Sequence, residues 1–169
     1  DGGKPENFVK AMEMLRNAEP SVERTVYQTL ERMVAAYEQR NLTGFMSRVA
    51  DGFSGDGSVL ESALRRDYSR LARIDIDISP VNAAVSMDGR RVQLTVQFSR
   101  QLTPVRTGVP VNDRGLTQLV FARRGEVWKL LSMRSPQLFG ISDRVSSGAA
   151  RFRGNRDTLR MTPDGTLKR

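Results

Sequence analysis

Leu71-Ala72-Arg73-Ile74-Asp75-Ile76-Asp77-Ile78 is the stretch in which the spacing of apolar residues changes. Upstream, apolar side chains recur every three to four positions, the period of a helix with one buried stripe. Within the stretch, Ile74, Ile76 and Ile78 alternate with Asp75 and Asp77, the period of a strand with one wet face. Helices that hand over once to strands, without alternating with them, predict an α+β domain with helices packed on one face of an antiparallel sheet.

Working back from Leu71, Ser58-Val59-Leu60-Glu61 has a capping-box pattern and opens a helix running to Ala72, with Leu60, Leu64, Tyr68 and Leu71 on one side. Asp51–Gly57 holds three glycines and reads as a loop. Asn41 can cap a short helix over Asn41–Ala50 that carries Leu42, Phe45, Met46 and Val49. Ser21 can cap a longer helix, Val22–Arg40, striped by Val22, Val26, Leu30, Met33 and Tyr37. Pro20 separates it from a further helical segment, Lys4–Asn17.

Working forward, Pro80 is expected to interrupt the first strand and a second strand to follow over Val81–Met87. Asp88-Gly89 is a hairpin signal leading into the alternation Val92, Leu94, Val96, Phe98. Thr103–Gly115, with two prolines and two glycines, reads as a long loop. Leu116–Ala122 and Glu126–Met133 are expected strands around a turn at Arg123-Arg124-Gly125. After Phe139 the pattern is lost, apart from a small hairpin suggested by Leu159 and Met161 opposite Leu167. We therefore divide the chain into an N-terminal helical extension (1–20), a core domain (21–140) and a basic C-terminal extension (141–169).

The 169 residues contain no cysteine and no histidine. Disulfides, thiolate nucleophiles and the usual zinc sites are thereby excluded, as is the one side chain that titrates unaided near neutral pH. No cofactor or metal is expected. The net charge is +8, and all but four of the 27 basic residues are arginine. These charges are spread along the chain, so nucleic acid is not the expected partner. No apolar run has the length of a membrane span, and the chain reads as soluble. The Asp1-Gly2-Gly3 start suggests a processed or trimmed chain; together with the missing cysteines it is compatible with bacterial export to the periplasm, and localisation is left open.

From Val22 to Gly140 the order of elements resembles the nuclear transport factor 2-like superfamily, which includes the SnoaL-like and ketosteroid isomerase-like proteins. The likeness is carried by the helices Val22–Arg40, Asn41–Ala50 and Ser58–Ala72, by the Asp51–Gly57 loop, and by a last strand Val127-Trp128-Lys129-Leu130-Leu131. The resemblance implies a conical sheet wrapped around a helix with a pocket at its open end. It spans enzymes and non-catalytic dimerising modules alike, so fold alone does not choose between them.

The aromatic residues placed to line such a pocket are Tyr37, Phe45, Phe53, Tyr68, Phe98 and Trp128, with core packing as their alternative role. No catalytic residue is assigned. The isomerase-type members place an Asp or His, often with a Tyr, in the pocket. With no histidine here, the carboxylate candidates are Asp51 and Asp56, both in a turn-rich loop, and Asp67, expected to be a solvated helix residue. Asp75 and Asp77 share one strand face and read as its polar side. Arg100 and Arg106 flank the proline-containing loop and could meet an anion. The tail basic residues, such as Arg151, Arg153 and Arg156, could contact a polyanion. The reading that follows is a non-enzymatic module, a homodimer holding a small apolar ligand or a partner peptide in or on the cone. Two alternatives stand beside it: a SnoaL-like lyase or isomerase using a pocket carboxylate with Tyr37 or Tyr68, and an adaptor with a polyanion-binding tail.

Overall fold

The computed structural model describes residues 21–142. The helical segment expected over Lys4–Asn17, the tail arginines and the hairpin expected near Leu159 lie outside the described residues. Among those described, three helices precede four strands: α1 Val22–Glu38, α2 Leu42–Met46, α3 Gly57–Arg70, β1 Leu71–Val85, β2 Arg91–Pro104, β3 Val111–Arg124 and β4 Val127–Met133. The strands form one antiparallel, curved sheet in the order β1-β2-β3-β4.

The expected caps of the first two helices are in place. The Ser21 side chain accepts from the Arg24 N–H at 3.2 Å, and the Asn41 side chain accepts from Gly44 N–H at 2.9 Å. In α1 the stripe Val26, Leu30, Met33 and Tyr37 is fully buried, whereas Val22 at the helix start is exposed. At α3 the capping-box expectation is corrected. Asp56, not Ser58, is the cap, accepting from Ser58 N–H at 2.9 Å, while Glu61 forms an exposed ion pair with Arg65. Such a pair contributes about 0–1 kcal/mol.

Two strand expectations also change. Pro80 does not break the first strand. β1 is an edge strand, so proline's missing N–H costs no inner ladder bond, and the irregularity is absorbed as a bulge between Pro80 and Asn82. Thr103–Gly115 is not a long loop either. β2 continues to Pro104 and β3 begins at Val111, so the two prolines, Pro104 and Pro110, mark the ends of strands with a short turn between them.

Val92, Leu94, Val96, Phe98 and Leu102 of β2 face the helices and are buried. The alternate residues Gln93, Gln97, Ser99 and Gln101 are exposed on the outer face, as Asp77 is on β1. The chain past β4 departs furthest from expectation. Leu138, Phe139, Ile141 and Ser142 are all buried, because the segment turns back and runs across the helical side of the sheet.

Candidate functional site

The buried face of α3 is Leu60, Leu64, Asp67 and, just past the helix, Leu71, at positions i, i+4, i+7 and i+11. Asp67 is therefore not the solvated residue expected from its Arg65-Arg66 neighbours; its side chain is directed inward and no part of it is exposed. A buried carboxylate needs donors, and three reach it. The Tyr37 hydroxyl of α1 donates to Oδ2, the backbone N–H of Ile141 to Oδ2 at 3.1 Å, and that of Ser142 to Oδ1 at 2.7 Å. Burial, followed by the adjoining Asp67 charge, holds the Tyr37 hydroxyl well above its ordinary pKa, so it stays a donor.

Phe139 fills the space beside this pair. Its ring meets Tyr37 edge-on at 5.1 Å and Phe45 edge-on at 4.7 Å, and Tyr37 also contacts the rings of Phe45 at 6.2 Å and Tyr68 at 6.0 Å. The next residue, Gly140, has φ of +74°, and a Cβ there would lie 3.0 Å from the Cβ of Ala63 on α3. Glycine alone lets the backbone turn this close to the helix. Upstream, Arg100 of β2 secures the same segment. Its guanidinium binds Asp113 through two bonds of 2.9 and 2.8 Å and donates to the Gln137 carbonyl at 2.7 Å, while stacking over Phe98. The expectation that Arg100 could await an anion is corrected: its ligand is the protein's own carboxylate and main chain.

Of the aromatic residues singled out in the sequence, Tyr37, Phe45 and Tyr68 form one cluster with Phe139. Phe98 lies beneath Arg100 and against Gly115, where a Cβ would approach its ring to 3.2 Å. Trp128 is buried at the start of β4, and half-buried Phe53 borders a small cavity of about 100 Å³ with Val59, Leu60, Met133 and Phe139. The Tyr68 hydroxyl is buried without a hydrogen-bond partner, and burial, with the nearby Asp67 charge, pushes its pKa up to about 12. Asp51 and Asp56 remain exposed in their loop, and Arg106 is exposed in the β2–β3 turn. Among the described residues no group of three or more carboxylates lies together to hold a metal ion.

No protein-family model matches the sequence, and no curated protein matches it. Solved structures do match in shape. A conserved protein from Planctomyces limnophilus superposes with a TM-score of 0.59 at 14% identity, covering 66% of this chain and 91% of that one. A ketosteroid isomerase-like protein from Erwinia carotovora atroseptica gives 0.57 at 9% identity over 68% and 94% of the two chains. An NTF2-like superfamily protein from Salmonella enterica gives 0.57 at 9% identity over 67% and 88%.

The fold is nuclear transport factor 2-like.

Within this NTF2-like fold the described site is a cone whose interior is occupied by the chain that follows its last strand. Sequence reasoning listed Asp67 as a carboxylate candidate but missed its burial, and it missed Phe139 altogether. Phe139 was placed at the limit of the domain. Asp67 sat on the α3 stripe at i+7 from Leu60, and that spacing was the available signal for its burial.

Proposed function

We propose that this chain is a non-enzymatic binding module whose NTF2-like cone holds a peptide, its own segment Gln137–Ser142, and which presents its outer surface to a partner. The observation that supports this is the use made of Asp67. Both carboxylate oxygens are engaged by backbone N–H groups and Tyr37, and Phe139 packs edge-on against that tyrosine. A general base must reach the proton it removes, which this carboxylate does not while the segment is seated. The partner is a second copy of the chain. The outer face carries Thr95 and Gln118 around exposed Leu116, bordering, with Arg134 and Ser135, a depression of about 310 Å³.

Amide hydrogen exchange on the full chain tests the closed cone. The Ile141 and Ser142 amides are expected to be protected as strongly as Leu94 in β2; exchange at the rate of open chain would leave Asp67 accessible and sink the reading. Sedimentation velocity reads the second copy, and a monomer at every concentration would remove that part.

A lyase or isomerase reading has one observation in its favour: a buried carboxylate beside a tyrosine. It requires the Gln137–Ser142 segment to leave the cone, so the same exchange measurement separates the two readings.

A further inference from the structure

At the end of the sheet away from Arg100, the β1–β2 and β3–β4 hairpin tips lie side by side. The Arg123 N–H donates to the Arg90 carbonyl at 2.9 Å, and Arg91 is in register with Ala122. Arg90 and Arg123 are thus neighbours across the strands, with Arg91 and Arg124 beside them, and all four are exposed. Like charges directly opposed on adjacent strands destabilise the pair, and the nearby Asp88 carboxylate offsets the charge of Arg90. Arg65, Arg73 and Arg100 each have a carboxylate at 2.8 Å, but among the described residues none lies within ion-pair distance of these four.

Between the tips is a depression of about 290 Å³ lined by Asp88, Arg90, Arg123 and Gly125. Asp88 itself lines the depression, and one of its oxygens, Oδ1, is engaged in the turn, accepting from the Ser86 hydroxyl at 2.6 Å and from Arg90 N–H at 3.0 Å. Glu126 is the other acidic residue of the tips, leaving four guanidiniums against two carboxylates. Arg123 is also held in place: its Nε donates to the Gly125 carbonyl at 3.0 Å, and among the described residues its two terminal nitrogens make no hydrogen bond. A guanidinium fixed through Nε presents its remaining donors as a planar fork, the geometry that matches a tetrahedral oxyanion.

We propose that the depression between the two hairpin tips is an anion site that takes the phosphate group of a small soluble ligand between Arg90 and Arg123. Arg91 and Arg124 deepen the positive potential around it. The concave shape favours a small molecule over an extended surface. This site is separate from the filled cone and does not depend on the binding-module reading.

The test is a titration of the ¹⁵N-labelled full chain with inorganic phosphate at constant ionic strength, read residue by residue by NMR. Saturable shifts are expected at the Gly89, Arg90, Arg123 and Gly125 amides. The double variant R90S/R123S, altered only at exposed positions, is expected to weaken binding about tenfold or more, as loss of charge-assisted hydrogen bonds does. Its other amide signals should be unchanged. Linear, unsaturated shifts, shifts spread equally to exposed Arg106 and Arg114, or unaltered affinity in the double variant would overturn the proposal. A parallel arm uses vesicles containing phosphatidic acid: contact of the tips with vesicles, but not with free phosphate, overturns the soluble-ligand assignment.

Discussion

The two ends of the sheet use arginine in opposite ways. At the mouth of the cone the Arg100 side chain is 3% exposed, and Asp113 and the carbonyl of Gln137 engage its donors. At the hairpin tips Arg90 and Arg123 stand next to one another in water, with no carboxylate within ion-pair distance among the described residues. Desolvation explains the contrast. A buried guanidinium persists only if its hydrogen bonds are made inside the protein, so Arg100 is a structural clamp. An exposed one is hydrated without a partner and is left available for one from solution.

The mouth should therefore be the costly end to disturb. Asp67→Ala removes the acceptor for one hydroxyl and two backbone donors in a site with no water access, and opens a gap beside Phe139. Leaving a buried donor unsatisfied costs about 1–3 kcal/mol, and three are left here. Denaturant unfolding followed by Trp128 fluorescence should show that loss. A change below about 1 kcal/mol, the size of one ordinary surface interaction, would mean that Asp67 does not hold the segment.

That end of the molecule was also the less legible in the sequence. The handover from helix to strand, expected after Ala72 and found at Leu71, the caps at Ser21 and Asn41 and the α1 stripe from Val26 onward depend on neighbours within a few residues. Pro80 and the Thr103–Gly115 stretch were misread because proline and glycine disfavour regular structure on average, whereas an edge strand and two strand ends accommodate them. Asp67 was misread for a different reason. A charged residue after two arginines looks solvated until donors from residues 30 and 74 positions away are known. Spacing showed which face it was on; only the tertiary structure shows what meets it there. The six aromatic residues were legible as apolar positions, but the cavity-filling role of Phe139 required knowing that the chain turns back.

A smaller effect at the same end comes from alkali. Burial raises the pKa of the Tyr37 and Tyr68 hydroxyls above the ordinary value of 10.0, Tyr68 to about 12. The folded chain keeps protons that the unfolded chain releases, so stability is intact below pH 10 and falls as pH rises beyond it. Tyr37→Phe should lower stability at neutral pH, through loss of its bond to Asp67, yet flatten the alkaline decline. Parallel decline in both proteins between pH 10 and 12 would show that Tyr37 does not couple folding to proton release.

The hairpin tips should respond least, and with the opposite sign. Replacing Arg90 and Arg123 with serine removes no buried area and no ion pair; the one side-chain bond lost is Arg123 Nε to the Gly125 carbonyl, exposed and worth little. What is also lost is the repulsion between two guanidiniums on adjacent strands, a few tenths of a kcal/mol at low ionic strength. R90S/R123S is expected to match or slightly exceed the parent in stability when salt is low, and the difference should shrink as added chloride screens the charges. A destabilisation as large as that of Asp67→Ala would mean that the arginines support the turns, and the contrast between the two ends of the sheet would not hold. Equal or greater stability in the variant, together with lost phosphate binding, would show two side chains kept at a small cost to the fold for what they bind.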